Sequence, residues 1–208
     1  MSLYQLLIIL HIISAAIGVG GATISDMLFF RSIRDEKISS EELGILNAVS
    51  RVVQIGFIFL LLTGIGLVYL KFANSGINDF NLSNKINAKI TIITIIYLNS
   101  LVLHFTVIPL FKRYKDQDFG AVLRQHRIAI FTSGAISAVS WYSALILGAW
   151  KGLNVPYTTI ISVYVAVVVL AALSANIFGI MFVGILKKIS LKDTKQPSEE
   201  HPLPPRQE

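Results

Sequence analysis

The chain has 208 residues, 54% of them hydrophobic and 14% charged, with a net charge of +6 and a mean hydropathy of +0.68. Soluble domains carry about 25% charged residues, and the apolar residues here fall in blocks as long as a bilayer-spanning helix, so a water-soluble globule is excluded. With no cysteine in the chain, disulfide and thiolate chemistry are excluded as well.

Five apolar segments are predicted as transmembrane helices, at 3–30, 47–71, 87–111, 128–150 and 156–186. The first is preceded by MSLYQ, which has no Lys or Arg, so it is expected to be a retained helix and not a secretory signal. Its opening, LLIILHIISAAIGVGG, carries one imidazole, His11, into an otherwise lipid-soluble run. At helical spacing His11 shares a face with Ser14, Ala15, Gly18, Ala22 and Ser25. A stripe of small residues admits either a neighbouring backbone or a flat ligand. Two readings follow: tight helix packing with His11 bonded to another helix, or a metal or haem ligand beside a shallow groove.

Asp26 lies near the far end of this first segment, and Arg51 near the start of the second. They are expected to form an interfacial ion pair that fixes the helix hairpin. Asn74-Ser75-Gly76 ends the second helix, and the loop 72–86 that follows is rich in Asn and Ser. On the third helix, Lys89, Ser100 and His104 project to one side. At 1.5 Å of rise per residue, His11 lies roughly 12 Å and His104 roughly 25 Å below the same boundary. Such a difference disfavours one iron bridged by both histidines, whereas Lys89 is close to His11 in depth. His126 falls at the foot of the fourth helix, where a solvated role is expected. Pro156 suits the first turn of the fifth helix. Residues 1–190 are expected to form a single transmembrane domain. The tail 191–208, with four prolines, many charges and His201, is expected to be disordered and cytoplasmic.

Positive charge alternates between loops. Arg31, Arg34 and Lys37 lie in the first, Lys112, Arg113, Lys115, Arg124 and Arg127 in the third, and Lys187, Lys188, Lys192, Lys195 and Arg206 at the C-terminus. The intervening loops carry few such residues, so the N-terminus is predicted outside and the C-terminus inside. This distribution explains the basicity without nucleic acid, and lipid is the expected surrounding. The chain contains no catalytic triad, phosphate loop, zinc motif or mid-helix lysine suited to a retinal Schiff base.

LLIILHIISAAIGVGG resembles the opening helix of the HemJ-type protoporphyrinogen oxidases and the related copper-resistance D (CopD-like) membrane domains. VSRVVQIGFIFLLLTGIGLVYL is similar to their second helix, with an early Arg and a Thr-Gly step near the end. NAKITIITIIYLNSLVLHFTVIPLFKR resembles the third, with an early Lys and a closing Pro-Leu. LRQHRIAIFTSGAISAVSWYSALILGAW resembles the fourth. The likeness spans about residues 3–150 and implies a four-helix unit, to which the fifth helix is an addition. It also implies, in the HemJ branch, a b-type haem. Carried over by position, His11, Arg51 and Lys89 match that family's first-helix histidine, second-helix arginine and third-helix lysine. Asn87 and Ala88 stand where a histidine accompanies that lysine, and Gly20-Gly21 and Ser25-Asp26 replace the aromatic and Pro-Arg residues of the family's first helix. These departures bear on oxidase activity more than on haem binding.

The reading taken forward is an integral membrane b-type haem protein with a redox or tetrapyrrole-related role, in the plasma (inner) membrane of a prokaryote. His11 is its metal ligand; Ser14, Ala15, Gly18 and Lys89 are the cofactor contacts, with His104 a weaker one. A redox partner and a homo-oligomer are compatible with this reading. The alternative is a non-catalytic protein that handles copper or assists assembly of another membrane complex.

Overall fold

The computed structural model describes residues 2–34, 39–75, 83–114 and 119–193. All regular structure among them is helical: α1 (Leu3–Arg34), α2 (Ser40–Ser75), α3 (Asn84–Val102), α4 (Ile108–Arg113), α5 (Phe119–Ala149) and α6 (Tyr157–Asp193). A π-helical turn, Leu103–Val107, joins α3 to α4. Five helices are long and apolar enough to cross a membrane, the third being α3 to α4 taken together.

Outward-facing side chains such as Ile12, Met27, Leu62, Phe105, Leu170 and Met181 are each at least 60% exposed. In water such a surface would aggregate; against lipid tails it is the natural boundary, because each helix satisfies its own backbone hydrogen bonds. The chain is an integral membrane protein.

Two reciprocal caps start the first two helices. The Ser2 and Gln5 backbone N–H groups donate to each other's side chains at 3.0 and 3.3 Å. Ser39 and Glu42 repeat the arrangement at 3.1 Å for both bonds. This capping box satisfies otherwise orphaned N–H groups, which is why α2 begins at Ser40 and not at 47. The other helices also exceed their predicted spans, because charged and polar turns continue a helix outside the apolar core. At the C-terminal end, α6 runs to Asp193, so residues 191–193, expected in the tail, are helical; residues 194–208 lie outside the described residues.

Glycines set the antiparallel α1–α2 contact. A Cβ on Gly21 would lie 2.2 Å from Val53, one on Gly56 2.8 Å from Ile17, and one on Gly66 3.2 Å from Leu7. Lipid tails provide no hydrophobic drive between helices, so close approach at small residues holds the pair. The α5–α6 pair is joined by Ser140 with the Tyr164 hydroxyl at 2.7 Å and by Asn176 Nδ2 donating to Thr132 at 3.0 Å. Asn99 on α3 donates to the Ser133 carbonyl of α5 at 2.9 Å. The helices therefore run α2, α1, α5, α3 around the bundle, with α6 outside α5 and α3. Backbone contact between α2 and α3 is sparse; that seam is bridged by Phe57 stacked on Tyr97, centroids 6.3 Å apart.

The π turn has a local cause. Pro109 has no N–H, and its ring would crowd the carbonyl four residues earlier. The ladder adjusts by widening one turn, with the Ile108 N–H bonding to the Leu103 carbonyl. His104 sits in that turn.

Candidate functional site

The polar residues within the bundle fall into two groups. The first surrounds His11, at the end of the bundle away from the α1–α2 connection. His11 is half-buried, and its Nδ1 lies 3.0 Å from Thr63 Oγ1 on α2. The single proton of Thr63 is committed to its own helix, toward the carbonyls of Phe59 at 2.6 Å and Leu60 at 3.2 Å. Thr63 must therefore accept from His11, which assigns the ring proton to Nδ1 and leaves the Nε2 lone pair unused by this bond. Gly64 makes room for the ring: a Cβ there would lie 3.4 Å from His11 Cε1. On α3, Lys89 is half-buried and within electrostatic reach of the imidazole. One turn earlier, Lys85 donates to the Trp150 carbonyl at the end of α5.

Three further members of the predicted stripe are covered by protein. Ser14 is 4% exposed, and its hydroxyl donates to the Leu10 carbonyl at 2.7 Å. Ala15 packs into the core around Ile92, Ile96 and Trp141. At Gly18 a Cβ would lie 2.2 Å from the Trp141 ring, so the indole fills the notch expected to receive a flat ligand. At Ser14, Ala15 and Gly18 the stripe is thus a packing surface below His11, whereas its members Ala22 and Ser25 line a cavity.

The second group lines a cavity of about 650 Å³ at the opposite end of the bundle, among α1, α2, α3, α5 and the π turn. Asp26, Gln54 and His104 are among its lining residues, whereas His11 and Lys89 are not. The structure therefore separates His104 from His11.

Asp26 and Arg51 do not pair. Among the described residues the ion pair at this end joins Arg31 and Glu42, 3.5 Å apart. The reason is helical phase: Val49 and Val53 face Gly21 of α1, so Arg51, two residues from each, turns to the outer side and is exposed. Asp26→Asn and Arg51→Gln are accordingly expected to be additive in a double-mutant cycle on thermal stability in detergent, within about 0.5 kcal/mol. A coupling well above that would show that the two side chains meet.

The sequence reading missed Thr63, Gln54 and Trp141 as site-forming residues. Thr63-Gly64 did carry a signal: a lone hydroxyl beside a glycine in an apolar run marks a place where another helix delivers a polar group. Among the described residues no three of His, Asp or Glu gather as a metal-binding cluster. Comparison of the chain with family models, with curated proteins and with solved structures gives no match.

Proposed function

We propose that this protein is a membrane-embedded b-type haem protein whose iron is ligated by His11, serving a redox or tetrapyrrole-related role. The observation that carries this reading is the His11–Thr63 hydrogen bond. A metal-bound histidine is normally oriented by donating its other ring N–H to a fixed acceptor, and Thr63 is such an acceptor. Imidazole nitrogen is a common axial donor to haem iron. The donor set also fits the group. A bare copper ion needs several protein ligands together, whereas haem iron brings four porphyrin nitrogens and asks the protein for one or two.

In this reading His11 would hold the iron, with Thr63 fixing the imidazole's tautomer and tilt. Lys89 would be the second residue to hold the group, its amine or ammonium lying within electrostatic reach of His11. When bound, the iron supplies one-electron redox chemistry; the surrounding apolar helices exclude water from it. The Lys and Arg distribution supports an N-terminus outside and a C-terminus inside a prokaryotic plasma membrane. Protein purified from membranes in mild detergent is expected to show a Soret band, with α and β bands on reduction by dithionite. A colourless protein that also takes up no added hemin would overturn the reading.

A further inference from the structure

The cavity at the opposite end from His11 is not used by that reading, and its chemistry is specific. Its volume of about 650 Å³ lies within the roughly 300–1,000 Å³ usual for small-molecule sites. Its walls include Phe29, Phe57, Tyr97, Phe131 and Trp141, whose faces and edges suit a flat ring. Gln54 and His104 also line it; both are exposed, and neither makes a hydrogen bond to another of the described residues. An amide and an imidazole can each donate as well as accept, so both are able to donate to a carbonyl oxygen. Asp26 lines the same space and disfavours an anionic ligand such as a fatty acid or a haem propionate, whereas the charge of Glu42, also there, is offset by Arg31. The α2–α3 seam, bridged by the Phe57–Tyr97 stack, offers an exit for a hydrocarbon tail.

We propose that this cavity binds the neutral head group of a lipid-soluble quinone, its carbonyls facing Gln54 and His104 and its tail leaving through the α2–α3 seam. The site is separate from His11 and does not depend on haem. Gly134 lines the cavity, and a Cβ there would meet nothing within 4 Å, so a side chain can be added without a clash.

The chain has two tryptophans, and Trp150 is 57% exposed at the end of α5. Trp150→Phe therefore leaves Trp141, on the cavity wall, as the sole reporter. Titrating decylubiquinone into the full-length Trp150→Phe protein in detergent is expected to quench Trp141 fluorescence saturably. Gly134→Leu should weaken the apparent affinity at least about tenfold by filling the cavity, with the helical circular dichroism kept. His104→Ala should weaken it about fivefold, the worth of one hydrogen bond. His11→Ala should leave it unchanged, so this result and the haem result fail independently. Linear quenching without saturation, or saturable quenching that neither Gly134→Leu nor His104→Ala alters, would overturn the proposal. Stronger displacement of the quinone by palmitate than by a second quinone would also overturn it, in favour of a fatty-acid site.

Discussion

Gly18→Ala is expected to destabilise the bundle by about 3 kcal/mol, the upper end of the overpacking range. The added methyl would lie 2.2, 2.3 and 2.9 Å from three atoms of the Trp141 ring. The indole is 3% exposed and also meets Phe57 edge-on, centroids 6.2 Å apart, so it can yield only toward the cavity it borders. Thermal unfolding in detergent checks this, and Trp141→Leu should restore much of the loss in the double variant by vacating the notch. Unchanged stability in Gly18→Ala would mean that α1 and α5 do not approach this closely. The same test separates helix packing from ligand binding along the stripe, because a groove built for a flat ligand would tolerate the methyl in the ligand-free protein.

Thr63→Val is expected to lower haem affinity about 10- to 100-fold, the usual effect of losing the group that orients a metal-bound histidine. The substitution keeps shape but removes the hydroxyl that accepts from His11 Nδ1, so the ring loses one restraint on its rotation and tautomer. Thr63→Ser keeps the hydroxyl and should retain most of the affinity. Hemin titration followed by Soret absorbance gives both numbers. Equal affinities for Thr63→Val and wild type would show that the His11–Thr63 bond serves packing alone.

The class of fold was legible because each span is a long apolar run, and lipid imposes one solution on such a run. The small-residue stripe on α1 was legible too, but not what fills it: a glycine announces close approach without naming the neighbour, and Trp141 is more than a hundred positions away in the chain. Asp26 and Arg51 show the same limit. Depth along two helices can be counted from sequence, whereas relative rotation depends on packing, here of Gly21 on Val49 and Val53. At His104, Pro109 foretold a disturbed ladder but not that it would widen into a π turn at the rim of a cavity. His11 was singled out because an imidazole in an apolar run demands a partner. That the partner is Thr63 required the α1–α2 register, which comes from glycines on both helices.

The most direct test of the haem assignment is the reduced-minus-oxidised visible spectrum of wild type, His11→Ala and His104→Ala, purified in parallel. The account predicts haem bands in the wild type, their loss or strong alteration in His11→Ala, and near-identity to wild type in His104→Ala, whose side chain lines the cavity at the opposite end of the bundle. Haem bands that persist unchanged in His11→Ala, or that vanish in His104→Ala alone, would contradict it.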